Sequence, residues 1–286
     1  MKFLKYFFQF IFISFLLIIF KIFGLKFSRI ISSKIFLFFG SFFRSKNQVE
    51  KNLSIAFPNT DQSFKNKITK NMWISYGKIF AEYMFIKNFR KIESKNFLEI
   101  KGQEILEKIK TTSNPVIFIS GHFDNFELMA MHIEKSGIDI AAIYRPLNNI
   151  FLNPIMERIR KKYICSKQIK KGILGTKEIL KYFKLGTSIA LMIDQRVSQG
   201  INSLFFKKEA LTTTIPAQFV KKFNCEIVPI HIERKNDEKF YIEIMRPIKF
   251  NNNQNVKDIT LNLNKILEKM ILKNPNQWIW THDRWK

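Results

Sequence analysis

The sequence predicts an α/β fold: a mainly parallel, mixed sheet flanked by helices, preceded by an N-terminal membrane-anchoring helix. Three observations predict it. Past Gly102, strand-type and helix-type segments alternate, the order that builds a parallel sheet with helices on its faces. The strand segments are short apolar runs such as 116–120 and 188–193, as expected where a sheet is covered on both sides. The first 45 residues are dominated by Phe, Ile and Leu, with scattered basic residues.

Lys2 and Lys5 precede residues 6–20, which carry no charge and are interrupted only by Gln9 and Ser14 before Lys21 closes the run. A bilayer-spanning helix needs about 20 apolar residues, so this one spans if its flanking lysines snorkel and otherwise lies in the interface. A cleaved leader also has a basic start and an apolar middle, but Lys21-Ile22-Phe23 offers no small-residue cleavage site. A buried core helix is the remaining alternative. Residues 27–43 continue the apolar character, with Arg29, Lys34 and Arg44 interspersed. They read as a second, membrane-hugging helix, basic residues at the phosphates and Phe in the acyl boundary. The chain thus divides into an anchor and interfacial helix, 1–45, and a folded domain, 46–286.

Residues 64–86 read as a packing helix, with Ile68, Met72, Ile79, Phe80 and Tyr83 at near-helical spacing. A strand at 116–120, a helix at 127–134 and a strand at 138–144 follow. Helices at 150–162 and 176–183 lead to a strand at 188–193 that ends at Asp194. Then come a helix at 214–223, a strand at 226–232, a turn at 235–238 and a strand at 240–245 returning antiparallel. A last helix, 256–272, puts Ile259, Leu263, Leu267 and Met270 on one face. Ligands of such sheets sit beyond the carboxyl ends of the strands, where His122 and Asp194 both fall.

A chain of 286 residues buries one large core or two small ones, and 46% hydrophobic residues with 31 Phe exclude general disorder. The net charge, 48 − 23 = +25, suits a surface facing lipid head groups, nucleic acid or an acidic carrier protein. An AT-rich coding bias toward Lys, Ile, Asn and Phe accounts for the same excess. Cys165 and Cys225 form no CxxC and no Cys/His ligand spacing, which argues against a disulfide framework or a zinc site. Reduced, buried thiols are expected. No aromatic-basic RNA motif occurs and the aromatics are mostly Phe inside apolar runs, so a nucleic acid partner is not expected.

The stretch Ser120-Gly121-His122-Phe123-Asp124-Asn125-Phe126-Glu127 joins a strand to a helix. Acyl transfer to a hydroxyl needs a base near the operating pH, which histidine supplies, and a carboxylate to fix its tautomer and stabilise the imidazolium. His122 in the turn and Glu127 in the first helical turn fit those two roles. A plain capping box built from Asp124 and Glu127 fits the same residues. His132 and His231, inside a helix and a strand pattern, read as structural.

This stretch resembles the His-x-x-x-x-Glu block of the late acyltransferases of lipid A biosynthesis, the lauroyl/myristoyl transferase family. Further blocks follow in order: Tyr144-Arg145-Pro146, Arg158-x-Arg160, Asp194-Gln195, Phe205-Phe206 with 212–214, and Trp278-Ile279-Trp280-Thr281-His282-Asp283-Arg284-Trp285. Asp283 departs from the resemblance, since the family usually carries a second arginine there.

The resemblance implies a glycerolipid-acyltransferase-like fold and transfer from acyl carrier protein, with no cofactor, onto a Kdo-bearing lipid A precursor. The place is the cytoplasmic face of the inner membrane. It implies His122 as base, Glu127 as its orienter, Arg160 as oxyanion donor with Arg158 as the near alternative, and Asp194 as an acid holding the arginine or the histidine. Arg145, Arg158, Asn125, Gln195, His282 and Arg284 are the expected substrate contacts, and anionic membrane lipid an expected partner. Arg145 is equally readable as a solvated arginine before a Pro turn. Trp278, Trp280 and Trp285 read either as an interfacial belt or as core.

Overall fold

The computed structural model describes residues 2–91, 97–236 and 239–286. Of the expected turn at 235–238, Asp237 and Glu238 lie outside them. The elements in order are α1 (Lys2–Phe43), α2 (Lys46–Ala56), α3 (Gln62–Glu82), α4 (Ile86–Lys91), β1 (Leu98–Lys101), α5 (Gln103–Thr112), β2 (Ile117–Ser120), α6 (Glu127–Lys135), β3 (Ile140–Tyr144) and α7 (Leu152–Tyr163). They continue with β4 (Lys167–Lys170), α8 (Ile173–Lys184), β5 (Ser188–Met192), β6 (Ile201–Phe205), β7 (Lys208–Thr212), α9 (Ile215–Phe223), β8 (Ile227–Arg234), β9 (Phe240–Ile244) and α10 (Val256–Lys273).

A seven-stranded sheet has the order β1-β9-β8-β2-β5-β3-β4. Strands β8, β2, β5, β3 and β4 run parallel, while β9 pairs antiparallel with β8 and β1 runs parallel to β9. The sheet is therefore mixed and mainly parallel. Central strand β2 is buried at every residue, as its apolar run requires. β6 and β7 form a separate hairpin, whose turn places Phe206 and Lys207 at positive φ. The short strands β1 and β4 and this hairpin were not foreseen, because their polar or mixed residues carry no clean alternation.

Helix α1 is broken at Gly24, where φ is 76° and the helical bonds are interrupted. Residues 2–23 make about 33 Å of helix at 1.5 Å per residue, close to the ~30 Å hydrocarbon core of a bilayer. Phe8, Phe12, Phe15, Ile22 and Phe23 on it are all more than half exposed. Most of this half is thus apolar and uncovered by protein, Phe20 being the buried exception, and it is a candidate membrane anchor.

The half after the kink is different from expectation on one face. Arg29 does not reach toward phosphates; it is buried, with Nε donating to Glu82 of α3 at 2.6 Å. The two helices approach closely because Gly77 lies against the backbone of Ser32 and Ser33, where a Cβ would stand 2.5 Å from the Ser32 carbonyl oxygen. The opposite face leaves Phe27, Ile30, Phe38 and Phe42 exposed.

Trp278, Trp280 and Trp285 are 1%, 0% and 5% exposed, so the terminal aromatics are core and not an interfacial belt. Burying one indole removes on the order of 200 Å² from water, worth about 5 kcal/mol at ~25 cal/mol/Å². Trp285 Nε1 donates to the Phe205 carbonyl at 2.9 Å, which ties the chain's end to the hairpin. Cys165 and Cys225 are free and buried.

Candidate active site

Parallel register builds the site. Ser120 of β2 and Met192 of β5 are partners, so two residues further on the chains deliver His122 and Asp194 side by side. His122 Nδ1 lies 2.8 Å from Asp194 Oδ1, and the His122 backbone N–H donates to Oδ2 at 2.7 Å. Trp278 Nε1 donates to the same Oδ2 at 2.9 Å. Asp194 is fully buried. Burial works to raise its pKa, but the charge of His122 and the hydrogen bonds from His122 and Trp278 outweigh it and hold the carboxyl below the usual carboxylate range.

An ionised Asp194 accepts the Nδ1–H of His122, which leaves Nε2 as the lone-pair nitrogen. The His122 side chain is 23% exposed. It borders a cavity of about 60 Å³ whose apolar wall includes Met72, Ile79, Phe126 and Ile279. Phe126 packs edge-on against the imidazole at 4.8 Å. Ser75, Tyr76, Asp124, Gln277 and Trp278 complete the lining, their polar atoms scarcely exposed to the cavity.

Most of those polar groups are committed elsewhere. Ser75 Oγ donates to Asp124 at 2.6 Å, Gln277 is held on the backbone of Arg234, and Trp278 serves Asp194. Tyr76 is the exception, with only a 3.4 Å contact to Thr281 Oγ1. Burial keeps its phenol protonated well above the usual tyrosine range.

The structure corrects the expected role of Glu127. Its carboxylate does not reach His122. It lies on Arg160, accepting from Nε at 2.8 Å and from Nη2 at 2.5 Å, and it also accepts from the Tyr83 hydroxyl. Nor does Glu127 close a capping box, since α6 has no side-chain cap and the Asp124 carboxylate points elsewhere. Arg160 is correspondingly occupied: Glu127 and Tyr83 take its Nε and Nη2, so its charge is neutralised by an acid and not held free for an oxyanion. Asp194, foreseen as holding either the arginine or the histidine, holds the histidine.

Asp124 and Asn125 belong to a buried ion network. Arg234 Nη2 donates to Asp124 at 2.7 Å and to Glu82 at 3.0 Å, Arg29 donates to Glu82, and Asn125 Nδ2 donates to Glu82 at 2.7 Å. Asp124 sits at φ 31°, a left-handed backbone that this network pins. The loop that carries His122 is thereby tied to α3, to β8 and to the helix after Gly24.

Asn125, 1% exposed, faces inward to Glu82 and does not present itself to a ligand. Arg284 is fully buried, donating to the Leu211 carbonyl at 2.7 Å and Thr212 Oγ1 at 2.8 Å, and so clamps the hairpin where a head-group contact had been expected. His282 Nε2 accepts the Arg196 N–H at 2.9 Å. Burial lowers its pKa to about 4, so the ring stays neutral in this acceptor role. Asp283 lies 3.9 Å from Lys51. Arg145 and Arg158 are exposed and Gln195 partly so, which leaves these three accessible to a ligand. His132 donates to or accepts from Gln103 at 2.9 Å, and His231 is buried against Phe123.

Sequence reasoning missed Tyr76, Tyr83, Glu82 and Arg234, which lie in helix or strand patterns that give no sign of what they face. Among the described residues, no group of three or more His, Cys, Asp or Glu is placed to hold a metal ion.

The sequence model of the bacterial lipid A biosynthesis acyltransferase family matches residues 1–286. The chain belongs to this family. It is 25% identical over 244 residues to the lipid A biosynthesis lauroyltransferase of Escherichia coli K12, a match covering 83% of this chain and 78% of that one. It is 22% identical over 249 residues to the lipid A biosynthesis palmitoleoyltransferase of the same strain, covering 85% and 79%. A lipid A biosynthesis acyltransferase of Haemophilus influenzae is 22% identical over 241 residues, covering 82% and 76%. The crystal structure of the 1-acyl-sn-glycerophosphate acyltransferase from Thermotoga maritima matches at a TM-score of 0.41 and 13% identity, covering 88% of this chain and 99% of that one. That last likeness is too distant to bear on fold or function.

Proposed function

We propose that this family member transfers a fatty acyl chain from an acyl carrier protein thioester to a hydroxyl of a Kdo-bearing lipid A precursor. The reaction takes place at the cytoplasmic face of the inner membrane. The observation that carries the chemistry is the His122–Asp194 pair beside a partly open cavity.

His122 Nε2 takes the proton of the acceptor hydroxyl as its oxygen attacks the thioester carbonyl carbon. Asp194 stabilises the imidazolium that forms, the part a buried acid plays in hydrolase triads. The carbonyl oxygen becomes an oxyanion, and the hydroxyl of Tyr76, a residue lining the cavity whose contact to Thr281 is a long 3.4 Å, turns to it as donor. Collapse of the tetrahedral adduct expels the carrier thiolate, and the imidazolium returns the proton to that sulfur. Arg160, held by Glu127 and Tyr83, fixes α7 against α6 and the end of α3. The apolar N-terminal helix keeps the site beside a lipid acceptor.

The test is to incubate the purified full chain with acyl carrier protein thioester and a Kdo-bearing precursor, and separately with lysophospholipid, recording product masses. The reading predicts an acyl mass increment on the Kdo-bearing acceptor. An increment on lysophospholipid alone contradicts it.

A further inference from the structure

Two neighbouring strands end alike. β3 and β4 are parallel and in register through Tyr144 and Lys170, and the Lys171 N–H donates to the Tyr144 carbonyl at 2.8 Å. Beyond those ends β3 leads to Arg145 and then Leu147 and Ile150, while β4 leads to Lys171 and then Ile173 and Leu174. Both chains thus run from cation to aliphatic residues. Both leave from the carboxyl side of the sheet, the side that carries His122 and Asp194.

The aliphatic residues are uncovered. Ile173 and Leu174 are 71% and 79% exposed, as much as Ile22 on the N-terminal helix at 75%. They follow Gly172, whose φ of 146° is a turn that side-chain-bearing residues rarely make. Ile150 and Ile155 are also largely exposed. Among the described residues no carboxylate lies within ion-pair distance of Arg145, Arg158 or Lys171; the Glu157 carboxylate is taken by Lys170 at 3.1 Å. Lys171 is pulled below the usual lysine range by burial and by the neighbouring Arg145, two like charges held together with no acid between them.

The surface is continuous with the apolar helix. Phe151, in the loop after β3, packs its ring on Phe3, Phe7 and Phe10 at 5.2, 5.7 and 5.8 Å, and Asn149 Nδ2 donates to the Tyr6 carbonyl at 2.9 Å. We propose that the rim formed by the loops after β3 and β4 is a second membrane contact. Leu147, Ile150, Ile173 and Leu174 enter the acyl boundary while Arg145, Arg158 and Lys171 meet anionic head groups. The occupant is an anionic bilayer surface because apolar tips flanked by unpaired cations match its two layers. A carrier protein would need the cations but leave the aliphatics without a partner. This goes beyond the reaction assigned above and does not depend on the acyl acceptor.

The test uses an environment-sensitive fluorophore on the full-length protein in vesicles of phosphatidylethanolamine and phosphatidylglycerol containing an acyl-chain quencher. The native thiols are buried, so Leu174→Cys and, as control, Leu185→Cys take the label. Leu185 is exposed too but stands at the other end of α8, about 16 Å away along the helix. The expected result is a blue shift and several-fold greater quenching at 174 than at 185. Arg145→Gln with Lys171→Gln should abolish the excess quenching seen over phosphatidylcholine vesicles. Equal, weak quenching at both sites overturns the proposal, as does excess quenching that survives the charge substitutions. A probe at 174 that ignores lipid but responds to added acyl carrier protein assigns the surface to that protein instead. None of these readouts requires turnover, so failure of the acyl-transfer reading leaves them decisive.

Discussion

Asp194 grips His122 twice, at the ring nitrogen and at the backbone N–H, with distances of 2.8 and 2.7 Å. The double contact fixes the position of the residue and the tautomer of its imidazole.

Tyr76→Phe removes one oxyanion donor. Loss of such a donor costs about 10²–10³ in kcat, and the expected effect here lies at the lower end of that range with KM little changed. Steady-state kinetics with thermal unfolding measured alongside check it. A wild-type kcat would remove Tyr76 from the mechanism.

Arg234→Met leaves Asp124 as a buried carboxylate without its guanidinium partner and leaves Glu82 with Arg29 alone. Breaking a buried pair in this way costs about 3–5 kcal/mol. Urea titration of the detergent-solubilised protein should show the loss, and activity should fall with it because Asp124 no longer pins the loop of His122.

His231 sits in β8 with both ring nitrogens unpartnered and 1% exposure. Burial lowers its pKa from 6.5 to about 4. The unfolded chain therefore binds a proton that the folded chain does not, and this contribution to stability is complete above pH 6.5 and is lost as pH falls toward 4. A shift of that size corresponds to about 3 kcal/mol as an upper bound. His231→Leu should flatten the fall in stability between those pH values, read from unfolding midpoints across the range. An unchanged pH slope would refute the assignment.

The fold was legible where its residues carry a pattern. Apolar runs marked β2, β5 and β8, and Lys21, closing the first apolar run, separated the two N-terminal helices, though the break itself falls at Gly24. The position of His122 and Asp194 at strand ends was legible as well. Their pairing was one of two alternatives the resemblance offered for Asp194, and local sequence could not choose, because the choice depends on β2 and β5 being neighbours. Glu127, five residues from His122, looked like its partner until folding brought Arg160 and Tyr83 to it. Arg284 was misplaced, and the tryptophans left open between belt and core, for a related reason: an Arg-aromatic string reads the same whether it meets a head group or, as here, clamps the β6–β7 hairpin inside the core.

The most direct test of the account compares Asp194→Asn with Glu127→Gln in acyl transfer to the Kdo-bearing precursor, with unfolding midpoints for both. Asp194→Asn should keep its fold and lose about 10³–10⁴ in kcat, the scale seen when a triad acid no longer sets the tautomer. Glu127→Gln should lower the unfolding midpoint, because it leaves Arg160 buried without its acid. Near-wild-type kcat in Asp194→Asn, with loss of turnover and an unchanged midpoint in Glu127→Gln, would contradict the account.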